Sequence, residues 1–341
     1  MSIFYNPDDI QDQVSELYLP LRKKNQNEIA KKKVIVIAGP TAVGKTALSI
    51  AIAQILGGEI ISADSMQVYK GMDIGTAKAN KDEQKSVYHH LLDIKDINQS
   101  FNVSEFYRTA HRACRQILFK GKVPIVVGGS GFYIHAFLYG PPLGPPSNQE
   151  VRKKLEEQLE KLGAEELYER VQMLDPEYAK TITHRDKHKI IRALEIMSIT
   201  KKKVSDIPKP DVNQKPLYNY RLWFLHYPKE DIYEFVDKRC DQMIENGFVE
   251  EVEKLKSQGL ENNYSAAQAI GYRQCLKYLN SEKTLDDRIT FIDEFKKASK
   301  KYVKRQFTWF KKESNFRSLN LKEIGIEKAE EYILQDYEQS M

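Results

Sequence analysis

The chain has 341 residues, of which 41% are hydrophobic, and its 53 Lys and Arg exceed its 48 Asp and Glu for a formal charge of +5. That length allows two or three lobes with real cores, and so small an excess makes the location of charge matter more than its sum. No apolar run is long enough for a transmembrane helix, and the amino terminus lacks the basic-then-apolar pattern of a secretory signal. Cys114, Cys240 and Cys275 are scattered, odd in number and without C-x-x-C spacing, so they read as reduced thiols in a cytoplasmic protein.

Residues 1–32 form an extension in which Ile10, Val14, Leu17, Tyr18 and Leu21 fall at helical spacing, followed by basic residues. Val34–Ala38 is a short β-branched run typical of a buried parallel strand. It ends in Gly39-Pro40-Thr41-Ala42-Val43-Gly44-Lys45-Thr46, which fits G-x-x-x-x-G-K-[ST] at every fixed position. The glycines let amide groups turn inward onto a phosphate, Lys45 adds a positive charge, and Thr46 offers a hydroxyl to phosphate or Mg²⁺. Ala47–Leu56 continues as a helix whose positive end faces the same anion.

A second strand, Glu59–Ala63, ends at Asp64-Ser65-Met66-Gln67. Ligands of a doubly wound sheet gather at the carboxyl ends of its strands, which places Asp64 beside the cradle. A carboxylate there can take a proton or help to hold Mg²⁺; an ordinary helix cap is the competing reading. The loop Tyr69–Lys78 is too long for a simple connection. His89 and His90 point to opposite faces of a strand and cannot easily share a metal. After an amphipathic helix at Val103–Lys120, a third strand, Val123–Val127, ends in Gly128-Gly129-Ser130-Gly131. Hydrolytic P-loop enzymes place an acidic residue after such a strand to hold Mg²⁺, and none is present. The guanine-reading Asn-Lys-x-Asp is missing as well. The anion in the cradle is therefore expected to be a diphosphate that is not hydrolysed as a nucleotide.

The run Gly140–Pro146 is the sharpest composition break. Helices are expected at Gln149–Leu162, Ala164–Asp175, Pro176–Thr181 and Asp186–Thr200, forming a separate helical lobe. Tyr218–Leu225 returns to strand character, and Lys229–Asn246 and Phe248–Gln258 read as helices, the first carrying Arg239. Phe295–Lys312 interleaves basic and aromatic residues without an acid. On a helix it places Phe295, Ser299, Tyr302, Gln306 and Trp309 on one face and its charge outside, as a solvated face or a phosphate-backbone footprint would.

Together, GPTAVGKT, EIISADSMQVYKGMDIGTAK, HHLLDI, VVGGSGFYIHAFLYG, HRDKHKIIRALEI, AIGYRQ and KRQFTWF resemble the signatures of the bacterial tRNA isopentenyltransferase family over about residues 33–315. The resemblance implies an α/β fold: a P-loop NTPase-like core with a parallel sheet flanked by helices, plus a helical insertion domain. The expected division is 1–32 extension, 33–144 first part of the core, 145–210 insertion that binds tRNA, 211–315 core completion and helical C-terminal part, and 316–341 tail. The extension lies beyond the usual family start, as a surface helix with a solvated linker or as a tRNA-touching arm.

The resemblance further implies transfer of a dimethylallyl group from dimethylallyl diphosphate to N6 of adenosine 37, in tRNAs reading codons that begin with U. Asp64 matches the family's base. Lys45, Thr46 and Arg239 would stabilise the leaving diphosphate with Mg²⁺ held at Thr46. Asp64, Ser65, Met66 and Gln67, Ser130, Arg152, His188 to Arg192 (His188, Lys189, Ile190, Ile191, Arg192) and Gln268 to Arg273 (Gln268, Ala269, Ile270, Gly271, Tyr272, Arg273) match tRNA-contacting positions. The expected partners are the tRNA anticodon stem-loop and the donor, with no membrane and a monomeric enzyme. Two rivals stand beside this reading: an isopentenyltransferase acting on free adenine nucleotide, and a P-loop switch or RNA-binding ATPase.

Overall fold

The computed structural model describes residues 32–208, 210–212 and 215–339, so the readings made for the amino-terminal extension lie outside the described residues apart from Lys32. Among the described residues six strands form one sheet: β1 (Lys33–Ala38), β2 (Glu59–Ser62), β3 (His89–His90), β4 (Pro124–Gly128), β5 (Asn219–His226) and β6 (Arg317–Asn320). Their spatial order is β3-β2-β4-β1-β5-β6 and every pair is parallel. Parallel strands need crossovers, and crossover helices bury both faces of a sheet. The strand composition follows: Val34, Ile35, Val36, Ile37, Ile61, Ile125 and Val126 are fully buried. Each stabilises the fold by about 1.5–3 kcal/mol.

The crossovers in the first part of the chain are α1 (Lys45–Leu56), α2 (Lys81–Ser86), α3 (Val103–Phe119) and α4 (Gly131–Tyr139). Asn102 caps α3 by accepting from the Glu105 amide, and Gly57, in the left-handed region at φ 62°, ends α1.

Chain contacts divide the molecule into two compact units, 139–214 and the remainder. The smaller contains α5 (Gln149–Leu174), α6 (Pro176–Ala179) and α7 (Lys187–Thr200). Its own core gathers Leu155, Leu167, Val171, Ile190, Ile191 and Leu194. The two helices expected over residues 149–175 are both present, meeting within α5 at Gly163, whose φ of 85° is not helical.

After β5 the larger unit continues with α8 (Lys229–Glu245), α9 (Phe248–Ser257), a 3₁₀ turn at Leu260–Asn262, α10 (Tyr264–Ala267), α11 (Tyr272–Leu279) and α12 (Leu285–Phe310). The expected basic helix is only the second part of α12. Thr284 and Asp287 form a capping box that starts it ten residues earlier, on an acidic first turn. Phe295, Ser299 and Gln306 lie on its buried face as expected, whereas Trp309 sits at the margin, 37% exposed.

The expected tail after residue 315 is corrected by the structure. Arg317–Asn320 pairs with β5 as β6, and α13 (Leu321–Gln339) follows, bent at Gly325 and packed against α1, β5 and β6. Leu319, Leu321, Ala329 and Ile333 are buried, but they are spread over fifteen residues of two different periodicities, which hides them from pattern reading. The Arg317 guanidinium lies 3.9 Å above the Trp223 ring and pairs with Asp336, tying β6 and α13 to β5.

Candidate active site

The cradle is shaped by close approach. A side chain at Gly39 would place its Cβ 2.5 Å from the Leu225 carbonyl oxygen of β5, so only glycine lets the loop leave β1 at this angle. Ala42 and Gly44 are left-handed, with φ of 64° and 91°, and turn the chain into α1. Lys45 Nζ donates to the carbonyls of Gly39 at 2.9 Å and Pro40 at 2.6 Å, lying across the loop it belongs to. Thr41, Lys45 and Thr46 face a cavity of about 360 Å³.

Asp64 enters the same cavity from the carboxyl end of β2. Its Oδ1 accepts from the amides of Met66 at 2.8 Å and Gln67 at 3.3 Å. No helix follows until α2, so Asp64 closes a turn and is not a helix cap. Gln67 is engaged at both ends of its amide: Oε1 accepts from the Ser62 hydroxyl at 2.8 Å, and Nε2 donates to the Thr76 carbonyl at 3.2 Å.

The glycines after β4 have a packing reason. A Cβ at Gly128 would stand 2.3 Å from the Ala63 carbonyl oxygen, one at Gly129 2.2 Å from Gln306 Nε2, and one at Gly131 2.4 Å from the Trp309 ring. The absence of side chains lets α12 come down onto the sheet. There Gln306 bridges two loops, accepting from the Thr41 amide at 3.1 Å and donating to the Gly129 carbonyl at 3.0 Å. Tyr302, one turn earlier, lines the cavity. Burial first, and the charge of Asp64 second, push its hydroxyl up to about 12, with Ser130 in hydrogen-bond reach.

Two cations face this space. Arg239 reaches it from α8, and among the described residues no carboxylate forms an ion pair with it. Burial, then the neighbouring Arg239, lowers Lys45 to about 7 against the opposing pull of Asp64. Like charges held together in a poorly solvated site are a cost that an anionic ligand removes. The wall beyond them is less polar, with Val236, Cys240, Met243 and Phe295 on one side and Ala269, Ile270 and Tyr272 on another. Sequence reasoning did not single out Cys240 or Met243 for this site; nothing in their local pattern distinguishes them, since they reach it only through the packing of α8.

The remaining expected site residues are distributed as follows. Ser65, Met66, Gln268, Ala269, Ile270 and Tyr272 line the cavity. Gly271, left-handed at φ 87°, packs under Phe295 at the start of α11, and Arg273 is exposed. Ser130 adjoins the cavity-lining Gly129. In the smaller unit, Arg152 pairs with Glu156 at 3.0 Å, and Arg192 pairs with Glu195 at 2.7 Å. His188 and Lys189 are exposed, but Ile190 and Ile191 are buried in that unit's core, so the segment presents its first two side chains outward.

No group of three or more His, Cys, Asp and Glu side chains able to hold a metal occurs among the described residues. Mg²⁺ keeps most of its water and substrate phosphate oxygens and takes only one or two ligands from protein. The hydroxyl of Thr46, with the Asp64 carboxylate on the same cavity, fits an ion that arrives with a diphosphate. His89 and His90 are engaged separately, with the Val87 carbonyl and with Glu59.

A parallel sheet with a glycine-lysine phosphate loop, two cations and a carboxylate on one cavity, and no acid after the adjoining strand, defines a P-loop enzyme of group transfer rather than hydrolysis. The profile of the IPP transferase family matches residues 67–313. The chain is 55% identical to the tRNA dimethylallyltransferase of Protochlamydia amoebophila, covering 97% of each chain. A tRNA delta(2)-isopentenylpyrophosphate transferase of Staphylococcus epidermidis superimposes with a TM-score of 0.67 at 35% identity, covering 91% of this chain and all of the other. A eukaryotic dimethylallyltransferase acting on tRNA gives 0.66 at 28% identity, over 85% of this chain and 74% of its own. The chain belongs to the IPP transferase family.

Proposed function

We propose that this enzyme transfers a dimethylallyl group from dimethylallyl diphosphate to the exocyclic N6 of adenosine 37 in tRNAs that read codons beginning with U. The observation that carries the reading is the shared cavity, in which the phosphate loop, Lys45 and Arg239 face Asp64 across a half-apolar space. Gly39 to Thr46 and the two cations hold the diphosphate and receive charge as the C–O bond breaks. The electron pair of that bond leaves with the diphosphate, and a new bond forms between the allylic carbon and N6. Asp64 takes the N6 proton, its carboxylate held in place by the Met66 and Gln67 amides. The Thr46 hydroxyl is the group that would hold Mg²⁺, which would add further neutralisation of the leaving group.

N6 reaches a buried donor only if the adenine leaves the anticodon-loop stack, so the base is received extruded. Ser65, Met66, Gln268, Ala269 and Ile270 form the wall for it. Ser130, Arg152, His188, Lys189, Arg192 and Arg273 supply contacts to the anticodon stem-loop, and the 145–210 lobe is a tRNA-binding insertion. The charged outer side of α12 suits a phosphate backbone. No helix among the described residues is long and apolar enough to cross a membrane, and the reading is completed by a monomer acting in the cytoplasm. The test incubates the protein with labelled dimethylallyl diphosphate, Mg²⁺ and either unmodified tRNA or AMP. Label is expected in tRNA at adenosine 37; label in AMP alone would assign the free-nucleotide reaction.

A further inference from the structure

The loop between β2 and α2 is braced by a residue to which the proposed reaction assigns no step. One carboxylate, that of Glu251 on α9, accepts from three consecutive amides: Asp73 at 3.0 Å, Ile74 at 2.6 Å and Gly75 at 3.2 Å. Its Oε1 also accepts from the Tyr272 hydroxyl at 2.6 Å. A carboxylate seated on successive amides is among the stronger hydrogen-bonded arrangements a fold can build. Gly75 is also pressed against Phe248 and Tyr272, where a Cβ would come within 2.3 and 2.7 Å of their rings. Burial, with the charge of Glu251 beside it, pushes the Tyr272 hydroxyl well above its ordinary value of 10, so it stays a donor.

The two partners of Glu251 are two walls of the cavity: Gly75, Thr76 and Ala77 on one side, and the segment ending in Tyr272 on the other. The brace continues inward, because Thr76 receives the Gln67 amide and Gln67 receives Ser62, the two residues that bracket Asp64. None of these bonds involves the phosphate loop.

We propose that Glu251 is a positioning residue for the acceptor base: it clasps the 73–75 amides to Tyr272 and so sets the spacing of the walls between which the extruded adenine is received. The inference rests on the function proposed above. Glu251→Gln keeps the size but turns an NH₂ group toward donors that need an acceptor. Tyr272→Phe removes only the phenol donor and keeps the ring.

Both variants are assayed with labelled donor and tRNA, and donor affinity is measured separately without tRNA. Glu251→Gln is expected to raise the KM for tRNA about tenfold, with a smaller fall in kcat and donor affinity within about twofold. Tyr272→Phe is expected to raise the same KM by about threefold, and the double variant to be no worse than Glu251→Gln alone, as two parts of one clasp require. A KM for tRNA within twofold of wild type in the folded variants, or effects that multiply, would overturn the proposal. If Glu251→Gln does not fold, Tyr272→Phe decides by the same criterion. Wild-type protein in parallel separates the two readings: no label in tRNA there removes the proposed reaction, whereas an active wild type with an unmoved KM in the variants removes only the clasp.

Discussion

Two glycine-containing loops in this protein present runs of backbone amides, and they are treated in opposite ways. The 73–75 amides are filled from within by the carboxylate of Glu251. Among the described residues, the loop from Gly39 to Thr46 meets no carboxylate in that manner; it is faced by Lys45 and Arg239, and its Thr41 amide is taken by the neutral Gln306. The difference separates scaffold from site. A concave run of donors that the fold satisfies is a brace, while one that it surrounds with positive charge is a receptor for an anion from outside.

The largest effect that sharpens this contrast is expected at Asp64, which divides the two loops. Asp64→Ala should lower turnover by about 10²–10⁴-fold, the range for a lost general base, with tRNA affinity within a few-fold. Single-turnover kinetics with tRNA binding measured separately checks this, and near-wild-type turnover would remove Asp64 as the base. On the receptor side, Arg239→Ala should raise the KM for the donor or slow the chemical step by about 10- to 100-fold, the worth of a charge-assisted contact. An effect confined to tRNA affinity would place Arg239 on the other substrate. Gln306→Met keeps the volume and removes both bonds to the loops, so donor affinity should fall about fivefold and thermal unfolding should come a few degrees earlier.

The smallest effect is a pH dependence. Lys45 has its pKa lowered to about 7, so above neutral pH the free enzyme holds it largely uncharged. A bound diphosphate favours the charged form and raises that pKa, so binding takes up a proton. The contribution of this group to donor affinity is fully present below about pH 6 and is lost as pH rises past 7, until the raised value is reached. Calorimetry in buffers of different ionisation enthalpy reads the proton uptake directly. Lys45→Arg, which stays charged throughout, should abolish it.

The phosphate loop, the strands around it and the site of Asp64 were legible in the sequence because each depends on neighbours in the chain. A strand, a turn and a helix start must follow one another for Lys45 and Thr46 to face an anion, and such local order leaves a pattern. The far wall was not legible in the same way. Cys240, Met243, Tyr302 and Gln306 come from helices far apart in sequence, and their roles follow from packing alone. Glu251 reads as one of several acids on a charged helix until the fold brings it to the 73–75 amides. The C-terminal strand was missed because β6 is a four-residue edge strand whose first two side chains are exposed, so no alternating run announces it. Family resemblance stopped near residue 315, just short of it.

That last segment has a temporal consequence. Ile326, on α13, lies behind the left-handed Gly44, where a Cβ would stand 3.4 Å from its side chain, and α13 also packs on α1. Lys33 at the start of β1 donates to the Tyr337 carbonyl. Among the described residues, the first strand and loop are thus backed by the last helix. Domains generally begin to fold as they emerge from the ribosome, yet here the anion receptor gains its support only after α13 has been made. A chain released two dozen residues early would carry the whole recognisable motif and lack the buttress behind it.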